Sequence, residues 1–179
     1  MPTPSDDASL TLSPTWFAAL FGTIWKNAVR RRYEMGVINS ERALQACIVE
    51  ALSPLAPEIV ALVEPRVVIG SGNLKPDLWI GNINSKRALA IVEIKYVPHD
   101  YPKLGIACDL DTIGIYAVIG KHDADAICSE ILKERKDVQA LAKHRVLHAW
   151  GSVPHDSATK LDFGTCWIAG GESQALPSR

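Results

Sequence analysis

The run Ala88 to Val97, read ALAIVEIKYV, is apolar at nearly every position except Glu93 and Lys95. Side chains alternate along a strand, so Leu89, Ile91, Glu93 and Lys95 share one face and Ala90, Val92, Ile94 and Tyr96 the other. A strand that is apolar on both faces belongs at the centre of a sheet covered by helices, which points the chain toward an α/β architecture. Two charges in its second half then need a physical reason, because burying an ion without a partner is costly.

The preceding residues supply one. Leu78, Trp79 and Ile80 begin another apolar strand and residues 82–86 are polar turn formers, so the stretch predicts a β-hairpin. With the turn centred on Ser85, Ile83 faces Arg87, Trp79 faces Ile91, and Asp77 falls opposite Glu93. Directly opposed Cβ atoms are roughly 4.5 to 5.5 Å apart. Two carboxylates at that spacing repel unless something positive lies between them, and a divalent cation bound through oxygen is the natural candidate. A structural reading stands beside this one: Glu-x-Lys can be a solvated same-face pair, and Pro-Asp is common at strand starts. The functional reading is preferred because Pro76-Asp77, an apolar strand, a short turn and Glu93-Ile94-Lys95 occur together.

These residues, Pro76-Asp77 followed by Glu93-Ile94-Lys95, resemble the motif of the PD-(D/E)XK nuclease superfamily. The resemblance covers the motif and, more loosely, residues 40–118. It implies a restriction-endonuclease-like core, an α/β fold in which a central mixed β-sheet with an antiparallel meander is flanked by helices. It also implies metal-dependent hydrolysis of nucleic-acid phosphodiester bonds, with DNA favoured over RNA and Asp77, Glu93 and Lys95 as catalytic residues. Mg2+, with Mn2+ as a substitute, would be held by Asp77, Glu93 and the main-chain carbonyl of Ile94. Many members add an acidic residue from the helix before the sheet; Glu50 is the match by position, and Glu41 is the second choice because a helix start already explains it. The rival readings are a nuclease-fold module without catalysis that binds nucleic acid or a protein partner, and an unrelated α/β protein.

The chain's 179 residues suit one domain, expected over 13–172 with loose ends at 1–12 and 173–179. Nineteen basic against twenty acidic residues give a net charge of -1, so any nucleic-acid contact must use a local patch. The densest positive cluster is Arg30, Arg31 and Arg32, with Lys26 nearby, toward the end of the first helix. Offsetting the helix dipole is the preferred account of these arginines, and phosphate contact is the functional alternative. A chain this short leaves little room for a separate sequence-reading domain, so specificity would come from loops, a homodimer partner or another subunit. Cys47, Cys108, Cys128 and Cys166 form no Cys-x-x-Cys pair and fit a reducing compartment. Asp6 and Asp7 are the wrong charge for a secretory signal, and the apolar run from Trp16 to Trp25 is too short for a bilayer. A cytoplasmic protein without membrane contact is therefore expected.

Ser13-Pro14 predicts a helix start, and Trp16, Phe17, Leu20, Phe21, Ile24, Trp25, Ala28 and Val29 form its apolar stripe up to a stop at Gly36. Asn39-Ser40 predicts the cap of a second helix over 41–52, with Leu44, Cys47, Ile48, Ala51 and Leu52 inward. Residues 61–69 read as one strand interrupted at Pro65, so bent or at a sheet edge, and carrying Glu64, with 70–73 as the turn into the hairpin. Residues 103–117 suit a helix, although Ile115 to Ile119 would equally make a strand; 124–143 predicts an amphipathic helix, and 144–150 and 165–169 predict strands. The five histidines lack metal-ligand spacing, and only His99, with Tyr101, directly follows the motif.

Overall fold

The computed structural model describes residues 13–55, 57–69, 72–83, 87–97, 112–120, 145–152 and 161–169. Helix α1 (Pro14–Ile24) starts as its sequence predicts, with Pro14 in the first turn and the Ser13 hydroxyl accepting the Trp16 N–H at 3.2 Å. A π-helical turn (Trp25–Val29) follows without a break in right-handed backbone, and α2 (Arg30–Glu34) completes the rod. The expected uninterrupted α stripe is thus widened by one π turn, where Trp25 is fully buried and its Nε1–H donates to the Trp150 carbonyl at 2.7 Å. Gly36 ends the rod at φ 72°: its N–H donates to the Tyr33 carbonyl, and the Val37 N–H to the Arg32 carbonyl. That is the Schellman arrangement, which favours glycine for its left-handed residue. Helix α3 (Glu41–Leu52) follows, capped by the Ser40 hydroxyl accepting the Ala43 N–H at 3.2 Å.

The main sheet has six strands in the order β1 (Ile59–Val63), β4 (Leu78–Asn82), β5 (Ala88–Val97), β6 (Ile113–Gly120), β7 (Arg145–Ser152) and β8 (Asp162–Ala169). Pairings β1–β4, β4–β5 and β7–β8 are antiparallel, while β5–β6 and β6–β7 are parallel. A mixed sheet results, with an antiparallel meander on one side and β5 and β6 at its centre. The open reading of 113–117 resolves as strand, and every residue of β6 is buried, as a central strand requires. The strands expected over 144–150 and 165–169 are present as β7 and the longer β8.

The strand expected over 61–69 is instead two strands in different sheets. Glu64 follows β1 at φ 45°, a left-handed conformation, and Pro65 has no N–H to continue a ladder. The chain therefore leaves the main sheet, and β2 (Val67–Ile69) pairs with β3 (Gly72–Leu74) as a separate antiparallel ribbon. The helix expected over 124–143, the residues 103–111, and the two loose ends lie outside the described residues.

One continuous core joins the helices to the sheet. Phe17, Phe21 and Trp25 from the rod and Leu44, Ile48 and Leu52 from α3 meet Ile80, Val92, Ile94, Ile115 and Ala117 from the sheet. Phe163 of β8 packs against both Trp25 and Tyr33, with ring centroids 5.7 and 5.8 Å away. Val92 and Ile94 take the helix side of β5 as alternation predicts. Leu89 departs from its expected face and joins the same core. The cause is a bulge: Ile80 pairs with Ala90 but Gly81 with Ala88, leaving Leu89 as the extra residue.

Candidate functional site

The bulge also decides how Asp77 meets Glu93. Beside the turn the Asn82 N–H donates to the Arg87 carbonyl at 3.0 Å, so the expected facing of Ile83 and Arg87 is off by one. Past the bulge the register is the expected one, with Trp79 opposite Ile91 and Leu78 opposite Val92. One step further, Asp77 lies beside Glu93. Its carboxylate Oδ2 accepts the main-chain N–H of Ile94 at 2.6 Å. Its carbonyl accepts two hydrogen bonds, from the Glu64 N–H at 2.9 Å and from the Gln45 side-chain Nε2 at 2.8 Å.

Glu93 and Lys95 stand two residues apart on β5, and Lys95 Nζ lies 3.1 Å from Glu93 Oε1. Both side chains are about one-fifth exposed, at 20% and 21%. Burial raises the pKa of Glu93 above the usual carboxylate range, the Asp77 charge raises it further, and Lys95 only partly offsets this. For Lys95 burial works downward, but Glu93, Glu41 and Asp77 outweigh it and hold the ammonium above its ordinary value. The site is therefore an anionic pair that its one ammonium does not neutralise.

Helix α3 presents its first turns to this cluster. Glu41 Oε1 accepts the Tyr96 N–H at 3.4 Å and lies 4.0 Å from Lys95 Nζ. Glu41, Arg42, Gln45, Glu64, Asp77 and Ile94 line one cavity of about 220 Å³. Glu64 at its rim is ion-paired with Lys75, which lowers the pKa of its carboxyl.

Glu50 is corrected by this geometry. Its Oε2 accepts from Arg32 Nη1 at 2.7 Å, whereas the groups acting on Glu93 are Asp77, Lys95 and Glu41. Glu41 and Glu50 are nine positions apart on α3, which puts two and a half turns of helix between them. The N-terminal end of the helix points at the carboxylates, so Glu41 is the acidic residue that reaches them. The basic cluster is also partly engaged. Arg30 pairs with Glu34 at 2.9 Å and Arg32 with Glu50, while Arg31 is exposed and forms no ion pair among the described residues. His99 and Tyr101 lie outside the described residues.

A divalent cation fits the donor chemistry. Glu93 is pushed toward its neutral form by burial and by Asp77, so a positive ion between them would relieve a repulsion already present. Among the described residues no group of three or more His, Cys, Asp or Glu side chains is arranged to hold a metal. Two carboxylates offer the hard oxygen donors that Mg2+ takes while keeping much of its water.

Two participants were not singled out by sequence reasoning. Gln45 lies on a helix whose reading rests on its apolar stripe, Glu41 and Glu50, and Arg42 has no part in that reading. The available signal was spacing: Gln45 lies four residues after Glu41, on the same face of α3. Among the described residues no helix is long and apolar enough to cross a membrane. Comparison with protein-family models, with curated proteins and with solved structures finds no match to this chain.

Proposed function

We propose that the protein is a metal-dependent nuclease with a restriction-endonuclease-like core, hydrolysing phosphodiester bonds of nucleic acid, DNA in preference to RNA. The observation that carries this reading is the convergence of Asp77, Glu93 and Lys95 at one end of the β4–β5 pair, with the Asp77 carboxylate tied to the Ile94 N–H. The order of elements supports it: α3, then the antiparallel β1–β4–β5 meander, then a parallel partner in β6.

Asp77 and Glu93, with the Ile94 carbonyl that the motif resemblance implies, are the residues that would hold Mg2+ or Mn2+. When bound, such an ion polarises the phosphate and acidifies water. The chain's own groups divide the remaining work. Ile94 N–H fixes the Asp77 carboxylate, Glu41 helps keep Lys95 protonated, and Lys95 donates hydrogen bonds to the attacking water or to the charge developing on the phosphate. Water adds to phosphorus, the P–O ester bond breaks, and the products are a phosphate monoester and a free hydroxyl.

The test is a digestion panel of supercoiled plasmid, linear duplex, single-stranded DNA and RNA, with Mg2+, Mn2+ or chelator. Cleavage of a DNA substrate that needs metal and disappears in Asp77→Ala is the expected result. No cleavage of any polymer would overturn the nuclease reading.

A further inference from the structure

Gln45 is 9% exposed and lines the cavity beside Asp77. A primary amide costs free energy there unless it is hydrogen-bonded, and its Nε2 donates to the Asp77 carbonyl at 2.8 Å. That carbonyl already has a donor in the Glu64 N–H, the last rung of the β1–β4 ladder. A carbonyl oxygen has two lone pairs, so Gln45 fills the second. The ladder alone would satisfy the fold; the second bond sets the orientation of the Asp77 peptide.

From these contacts we infer that Gln45 is a positioning residue for Asp77, acting from α3 through the main chain. The Asp77 backbone is held on one side by Glu64 and on the other by Gln45, and its carboxylate is held by the Ile94 N–H. Glu41, one turn earlier on the same helix, meets Tyr96 and Lys95. One face of α3 thereby references both strands of the carboxylate pair to a single rigid element. The role in catalysis rests on the nuclease reading, whereas the hold on Asp77 does not.

The experiment uses the full chain and two variants. Gln45→Leu keeps similar bulk and removes the donor. Gln45→Glu keeps the shape and restores a donor only when protonated. The 15N-labelled protein reports the Ile94 amide proton, which is shifted downfield by a short hydrogen bond to a carboxylate. In folded Gln45→Leu that resonance should move upfield, and single-turnover cleavage should slow about 10-fold or more with KM for the polymer little changed, since about 1 Å of misplacement can cost 10² in rate. In Gln45→Glu the Ile94 resonance should return toward that of wild type at the same pH as pH falls through the new carboxyl's titration. An Ile94 amide shift that is unchanged in both folded variants overturns the inference, whatever the protein cleaves. A wild type that cleaves nothing, together with an Ile94 shift that moves as described, would remove the nuclease reading and leave the hold on Asp77 standing. Should Gln45→Leu fail to fold, Gln45→Glu at neutral and low pH carries the same comparison.

Discussion

Lys95 separates binding from chemistry at this site. Its ammonium lies 3.1 Å from Glu93 and within reach of Glu41, so Lys95→Ala removes a positive charge beside the two carboxylates. Affinity for Mg2+ should hold or rise by Coulomb's law, while the chemical step slows by roughly 10² to 10³, the scale of losing one transition-state donor. Equilibrium titration alongside single-turnover rates would check both halves. Glu93 has a different signature. Its folded pKa is raised, first by burial and then by Asp77, so its contribution to stability is present below the ordinary carboxylate value and is lost as pH rises through the raised one. Glu93→Gln should therefore melt higher than wild type at pH 7 in chelator, and the difference should vanish below about pH 4, where both side chains are neutral. Adding Mg2+ should raise the melting temperature of wild type more than that of Glu93→Gln. Thermal scans at the two pH values with and without metal would measure this.

At the scale of elements, the site depends on how the helical rod and α3 seat on the sheet. Trp25 locks the rod by donating to the Trp150 carbonyl on β7, far along the sheet from Asp77. Trp25→Phe removes the indole donor from that part-buried carbonyl, at a cost of about 1 kcal/mol, and adds a cavity cost for the lost ring. Urea unfolding should report the loss while metal affinity stays at the wild-type value. The same level shows what a linear reading reaches. Asp77, Glu93 and Lys95 were legible because strand alternation and hairpin register are local, and the bulge at Leu89 compensated the turn that was misplaced by one residue. The sequence favours Glu50 over Glu41 because a helix start already explains Glu41; what decides between them is the direction in which the helix points, set by packing of Leu44, Ile48 and Leu52 against the sheet, which spacing does not reveal. The split of the expected 61–69 strand turned on the left-handed backbone at Glu64, a conformation that glutamate gives no reason to expect.

For the whole molecule, a net charge of -1 leaves nucleic-acid binding to local groups. Arg30 and Arg32 of the basic cluster are ion-paired with Glu34 and Glu50, and Arg31 is exposed and without an ion pair among the described residues. Most strands of the sheet were legible from the apolar runs and its mixed character was implied by the motif resemblance, but its order was not legible, because parallel pairing of β5, β6 and β7 is a long-range choice. What the fold accomplishes is to bring Asp77, Glu93 and Lys95 from two strands, and Glu41 and Gln45 from one helix, to the same end of that sheet. The central claim is that this convergence holds a divalent cation. Calorimetric titration of Mg2+ and Mn2+ into wild type, Asp77→Ala and Lys95→Ala tests it most directly. Saturable binding in wild type, lost in Asp77→Ala and retained in Lys95→Ala, is the predicted result; featureless heats in wild type, or wild-type affinity in Asp77→Ala, would contradict it.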